Sequence, residues 1–344
     1  MYELPLALAP ELLAWYERSA RPLPWRDHPD PYRVWLSEIM LQQTRIEAVR
    51  PYFERFLAAY PTLEALAAAD EDAVMKQWEG LGYYSRARHL RETARILVTE
   101  HNGQFPQTAS ELRALPGIGD YTSGAIASIA FDRPEPAVDG NVLRLCARLT
   151  RCPDSVASAA VRACFREALR PLYPEGRCGA FTSALMELGE TICLPGTPDC
   201  DRCPLAALCA AHTAGDETAY PVLPDKKPRR IEERTVLLLQ CDGHTALRRR
   251  PEKGLLAGLW ELPNIVGFAC LDDITNFTET HRCTPLRIDP CEQTIHVFSH
   301  VEWHMRSYRI LCAEQSPDFV WVPNLENHAL PTAFRAWKKY IDSP

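Results

Sequence analysis

Along the first two thirds of the chain, apolar residues recur at three- and four-residue spacings. Trp35, Leu36, Ile39, Met40, Ile46 and Val49 form one such run, and Leu143, Leu145, Ala147 and Leu149 another. That period predicts amphipathic helices packed on one another. The alanine-rich stretch 63–69 adds helix propensity. Thr108 followed by Glu111 reads as a capping box that opens a short helix. Over 213–234 the pattern gives way to a linker with Pro221, Pro224 and Pro228 and the basic cluster Lys226, Lys227, Arg229 and Arg230. Beyond it strand-like runs cover 235–239, 294–298, 301–305, 308–311 and 319–322, and a closing amphipathic helix covers 332–341. The expected organisation is a mainly helical domain over 1–212, a linker over 213–234, and an α+β domain over 235–344.

Length and composition narrow the class. A chain of 344 residues is long enough for two domains, and 46% apolar with 24% charged residues excludes a disordered or collagen-like polymer. No apolar run approaches the ~18–20 residues that cross a bilayer. The N-terminus has no basic segment and contains Glu3, Pro5, Pro10 and Glu11, so it does not read as a signal peptide. Thirteen cysteines without an export signal imply reduced thiols and a cytoplasmic setting. The formal charge is -7, and residues 1–212 hold 22 basic against 27 acidic side chains. Bulk charge therefore does not point to nucleic acid. Arginine supplies 32 of the 38 basic residues and suits bidentate phosphate contacts. A local positive groove is expected, with Arg86, Arg88, Arg91 and the linker basics as candidates.

Candidate chemistry comes from four places. Cys193, Cys200, Cys203 and Cys209 follow a C-x6-C-x2-C-x5-C spacing that can enclose a tetrahedral ion or a cubane iron–sulfur cluster, and the spacing leaves zinc open. Leu115-Pro116-Gly117-Ile118-Gly119 stands between two helical stretches. It is either a plain turn or a hairpin whose backbone N–H groups hold a phosphate. Asp139, in Val138-Asp139-Gly140-Asn141-Val142, is either a helix N-cap or a functional carboxylate. Glu38 interrupts an apolar helix, as a surface carboxylate or as a buried acid.

Taken in order, Ser37–Thr44, Gly80–Tyr84, the 115–119 hairpin, the Asp139 string, the cysteine loop and Phe298-Ser299-His300 resemble one family over nearly the whole chain. It is the helix–hairpin–helix DNA glycosylases with an iron–sulfur cluster, and within them the MutY branch of adenine DNA glycosylases. The resemblance implies a helical glycosylase domain with a [4Fe–4S] loop, followed by a C-terminal α+β Nudix-like domain. It implies excision of adenine mispaired with 8-oxoguanine or guanine in duplex DNA, by a monomer without a membrane partner. Glu38 would be the acid that protonates the leaving base, and Asp139 the carboxylate beside the sugar cation, kept ionised by its helix terminus. Tyr121 and Asn141 would hydrogen-bond these groups, with Trp25, Arg26 and Leu41 lining the adenine pocket. Gln43 and Tyr83 would wedge into the duplex, Gly117 and Gly119 would hold a phosphate, and Phe298, Ser299 and His300 would contact 8-oxoguanine.

Departures from the family pattern matter as well. Relatives resembling endonuclease III carry a lysine nucleophile where this chain has Tyr121, so cleavage of the base without strand nicking is expected. Ser183 stands where Gln or Glu would contact the adenine. The region 264–282 offers only Asp272, Asp273 and Glu279 in place of a Nudix carboxylate cluster, so pyrophosphate cleavage is not expected. The linker has no cysteine for a zinc-binding connector. Two other classes remain: an endonuclease III-like enzyme on oxidised pyrimidines, disfavoured by Tyr121, and a non-catalytic damage binder, disfavoured by the intact Glu38 and Asp139.

Overall fold

The computed structural model describes residues 2–27, 29–225 and 228–341; two of the linker basics, Lys226 and Lys227, lie outside the described residues. Residues up to Ala69 form one compact unit with His89–Asp225. Asp70–Arg88 and the chain beyond Asp225 form a second. This division differs from the one read in the sequence. The segment Asp70–Arg88 groups with the C-terminal residues, and 213–225 group with the helical ones.

The first unit is a set of helices around a core of Leu12, Trp15, Val142, Leu145, Phe165, Phe181 and Leu188. Burying each such side chain is worth about 1.5–3 kcal/mol. Three helices matter for the site. Pro31–Leu41 starts on Asp30, whose carboxylate accepts from the Tyr32 and Arg33 N–H groups, with proline at the first turn where no N–H is needed. Asp120–Phe131 starts on Gly119 and stops at Asp132, whose left-handed φ of 51° ends the helix. Gly140–Thr150 is capped by Asp139. The N-cap at Thr108 forms as expected, with Oγ1 accepting from the Glu111 N–H at 3.3 Å, but in place of the box's second arm Glu111 Oε2 accepts from the Thr108 hydroxyl at 2.6 Å.

The second unit is built on two twelve-residue strands, Arg230–Cys241 and Val301–Cys312, paired in parallel from Arg230↔Val301 to Gln240↔Leu311. One face of the sheet carries Leu238, Trp303 and Met305 against Phe334 and Trp337, and the other carries Leu237, Leu239 and Ile310 against Ile274. Three expectations are corrected. The runs 301–305 and 308–311 are one strand, and Ser307 between them is buried with both hydrogen bonds satisfied. Its Oγ donates to the Glu292 carbonyl at 2.7 Å and accepts from Trp337 Nε1 at 2.9 Å. The first strand begins at Arg230, within the stretch read as linker, because its backbone pairs there with Val301. The closing helix, Thr332–Tyr340, is of the 3-10 type.

Segment Asp70–Arg88 belongs to this unit through specific bonds. Lys76 Nζ donates to the Leu325 carbonyl at 2.7 Å, and Glu79 accepts from Lys338 and from the Leu330 N–H. After helix Glu71–Trp78 the chain turns through Gly80, Gly82 and Tyr83, all at positive φ. Arg86 stabilises that turn by donating to the carbonyls of Leu81 and Gly82 at 3.2 and 2.9 Å. The expected basic groove is corrected accordingly. Arg86 is buried, Arg88 donates to the Ala257 carbonyl, and Arg91 donates to the Ala69 carbonyl at 2.7 Å. All three guanidinium groups are used to hold backbone.

Candidate active site

A cleft of about 1540 Å³ opens in the first unit. Glu38, Tyr121, Asp139 and Asn141 line it, as do Trp25, Arg26, Leu41, Gln43, Gly117 and Gly119. Ten positions dispersed over 117 residues of sequence therefore face one space.

Glu38 is only 4% exposed, which excludes the surface-carboxylate alternative. Burial pushes its carboxyl up to about 7, against a hydrogen bond from Tyr121 that favours the charged form. Tyr121 Oη donates to Glu38 Oε2 at 2.5 Å from the neighbouring Asp120–Phe131 helix. Burial, followed by the Glu38 charge, holds the phenol well above its usual range, so it stays a donor.

Asp139 is the N-cap of its helix, and it also lines the cleft. Its Oδ1 caps helix Gly140–Thr150 by accepting from the Val142 N–H at 2.8 Å, and its Oδ2 accepts from Asn141 Nδ2 at 2.9 Å. Burial raises its carboxyl above the ordinary range, and these bonds oppose that shift. The helix terminus and these two bonds favour the charged form, and desolvation outweighs them in the direction of the shift. Asn141 Oδ1 accepts from Arg144 Nη2 at 2.8 Å, and Arg144 Nε donates to the Cys193 carbonyl at 2.7 Å. A continuous chain of bonds thus joins Asp139 to the start of the cysteine loop.

The floor of the cleft carries charge that sequence reasoning missed. Glu187 is buried, and it accepts from Arg21 Nε at 2.6 Å and from Arg26 Nη2 at 2.8 Å. Burial opposes its ionisation, but the two guanidinium groups win and hold its carboxyl below the usual range. Arg26 is oriented by this pairing and by donation to the Arg21 carbonyl at 3.1 Å. The signal was available, since Glu187 interrupts an apolar helix as Glu38 does. Ser183, one turn earlier on helix Cys178–Thr191, also lines the cleft, and Trp25 packs edge-on against Phe53.

At the hairpin, Gly117 has φ 73°, and a Cβ there would meet His89 Cβ at 2.6 Å. Only glycine fits without displacing that side chain. Gly119 is the N-cap of the next helix, whose first backbone N–H groups have no intrahelical acceptor, and it has open space at its Cβ position.

Cys193, Cys200, Cys203 and Cys209 line one small void beneath helix Gly140–Thr150. Burial pushes the thiols of Cys200 and Cys203 up to about 11 and about 12 and raises Cys209. Such thiols ionise only when a cation replaces their protons, which is the chemistry of a thiolate-bound metal. Arg148 supports the void by donating to Cys193 Sγ at 3.3 Å and to the carbonyls of Leu194 and Gly196.

The remaining expected residues lie in the second unit. Tyr83 is 45% exposed, and its Oη lies 3.5 Å from Ser299 Oγ. Phe298 packs edge-on against Trp303 with centroids 5.0 Å apart. The structure thus brings Tyr83 together with the Phe298-Ser299-His300 loop.

The helical fold, the hairpin and a cleft holding buried Glu38 and half-buried Asp139 define a base-excision glycosylase of the helix–hairpin–helix class. The family model for HhH-GPD superfamily base excision DNA repair proteins matches residues 36–171, and that for the NUDIX domain matches 234–339. The adenine DNA glycosylase of Rattus norvegicus is 35% identical over 91% of this chain and 72% of its own length. The Homo sapiens enzyme is 34% identical over 89% and 67%, and that of Buchnera aphidicola (strain Bp) 30% over 87% and 85%. The chain belongs to the adenine DNA glycosylase family, and it is a DNA N-glycosylase of base excision repair. Among solved structures, a thermostable thymine-DNA glycosylase is similar at TM-score 0.54 and 26% identity, over 60% of this chain and 96% of that one. Endonuclease III trapped on DNA matches at 0.51 and 24% identity, over 60% and 95%, a likeness of fold. Among the described residues, no helix is long and apolar enough to cross a membrane.

Proposed function

We propose that this enzyme removes adenine paired with 8-oxoguanine or guanine in duplex DNA, leaving an abasic site without cutting the strand. The observation that carries the reading is the pair Glu38 and Asp139 in one cleft, the first buried, the second half-buried, and each differently bonded. Adenine leaves only when a ring nitrogen is protonated, and its departure leaves an oxocarbenium-like sugar. Glu38, protonated near neutral pH, supplies the proton. Asp139, held by Asn141 and the Val142 N–H, keeps its charge beside the cation. Water completes the reaction. Tyr121 occupies the position of a lysine nucleophile, and its phenol is engaged with Glu38, so no Schiff base forms.

The base enters the cleft by flipping, at a cost of a few kcal/mol. Gln43 and Tyr83, both exposed and both at positive φ, fill the gap it leaves. Gly117 and Gly119 hold a phosphate through backbone N–H groups. Trp25, Arg26 and Leu41 shape the pocket, and Phe298, Ser299 and His300 read the opposite 8-oxoguanine. The enzyme acts on DNA as a monomer in the cytoplasm. Cys193, Cys200, Cys203 and Cys209 would hold a [4Fe–4S] cluster, structural or redox-tuned for DNA engagement and not catalytic, because base hydrolysis transfers no electrons.

Single-turnover excision on duplexes with adenine opposite 8-oxoguanine, adenine opposite guanine, or thymine glycol tests the reading. Adenine release in the first two, with nicking only after alkali, is the expected result. Release of thymine glycol with spontaneous nicking would replace this function with an endonuclease III-like one.

A further inference from the structure

The lesion-reading role of the 298–300 loop requires that the loop be held still, and the structure contains a post for it. Trp303 is fully buried beneath Phe298, whose ring meets the indole edge-on at 5.0 Å. The indole is itself held on several sides. Its Nε1 donates to Glu232 Oε2 at 2.9 Å, and the Arg234 guanidinium lies 4.1 Å from its ring. Glu232 also accepts from Arg234 Nη2 at 3.1 Å, so one carboxylate fixes both the indole and the cation stacked on it. These hydrogen bonds, with the arginine charge, hold the Glu232 carboxyl below its usual range even though burial opposes ionisation. Arg234 Nη1 in turn donates to Asn264 Oδ1 at 3.0 Å, and Asn264 Nδ2 donates to the buried Glu261 at 2.8 Å. The network ends on the sheet, a rigid base.

We propose that Glu232, Trp303 and Arg234 are positioning residues for lesion discrimination: the Glu232–Trp303 hydrogen bond fixes the indole that sets the orientation of Phe298. The proposal rests on the reading of Phe298, Ser299 and His300 as the 8-oxoguanine sensor. A core tryptophan needs only its volume, whereas a post needs its N–H as well. Glu232→Ala keeps the whole indole and removes its bond, which separates the two roles, whereas Trp303→Phe removes the bond together with part of the ring.

The experiment compares single-turnover adenine release opposite 8-oxoguanine and opposite guanine in the full chain, for Trp303→Phe, Glu232→Ala, Glu232→Gln and Phe298→Ala, with thermal unfolding of each. Loss of the indole's charge-assisted bond lowers the 8-oxoguanine preference by about tenfold in Trp303→Phe, and by at least as much in Glu232→Ala, which also frees Arg234. The rate opposite guanine stays unchanged, and Glu232→Gln recovers most of the preference because its amide oxygen still accepts from the indole. An unchanged preference in Trp303→Phe and Glu232→Ala, beside a reduced one in Phe298→Ala, overturns the post and leaves the sensor standing. An equal fall on both substrates overturns it in favour of a purely structural role. An unchanged preference in Phe298→Ala removes the sensor and the post together.

Discussion

The Tyr121 hydroxyl donates to Glu38 Oε2 at 2.5 Å, across two helices whose residues lie 83 positions apart in the chain. The bond opposes the burial that raises Glu38 to about 7. Removing the donor while retaining the ring, as in Tyr121→Phe, raises the carboxyl further. The basic limb of the rate–pH profile moves to higher pH, and the maximal rate falls by about tenfold because the acid is less well oriented. Single-turnover profiles of the two proteins measure both effects.

The same shift makes Glu38 a source of pH-dependent stability. Its ordinary value is 4.5 and its folded value about 7, so the folded state holds the proton more tightly. Below 4.5 both states are protonated and the full benefit of the neutral buried acid is present. As pH rises through 7 that benefit is lost, by about 3 kcal/mol for a shift of this size. Glu38→Gln removes the titration, so its stability relative to the parent rises between about pH 5 and pH 8. Denaturant unfolding at the two pH values checks the sign.

Asp139 separates capping from catalysis. Asparagine caps a helix about as well as aspartate, so Asp139→Asn unfolds within about 1 kcal/mol of the parent while excision is lost. Asp139→Ala loses both, with about 1 kcal/mol of helix stability gone as well.

Arg144 links Asn141 to the Cys193 carbonyl and also donates to the Gly189 carbonyl at 2.7 Å. Arg144→Gln leaves these acceptors short of donors. Purified protein then carries less iron and acid-labile sulfide per chain, and its excision rate falls by about tenfold or more. Iron and sulfide assays beside the rate measure the two losses, and sulfide in the parent distinguishes a cluster from zinc.

What the sequence made legible follows from how local each signal is. Glu38 stood out because a carboxylate on an apolar helix is a local contradiction, and the structure resolves it by burial. Glu187 carries the same contradiction, but its partners Arg21 and Arg26 lie more than 160 positions away in the chain, so its pairing is not local. The cysteine loop and the Asp139 cap are short-range and were readable. The pairing of Tyr83 with Ser299 was not, since the residues lie 216 positions apart and nothing in either string points to the other. Arg86, Arg88 and Arg91 looked available for phosphate because charge was visible in sequence while their backbone acceptors were not. Strand Val301–Cys312 was split at Ser307, whose partners, Glu292 and Trp337, come from other elements.

In the proposed mechanism Glu38 delivers the proton that releases adenine. Single-turnover adenine release from a duplex with adenine opposite 8-oxoguanine, comparing the parent with Glu38→Gln at equal cluster content, tests it most directly. The account predicts a loss of about a thousandfold with duplex affinity retained. Release by Glu38→Gln at the parent rate would contradict it.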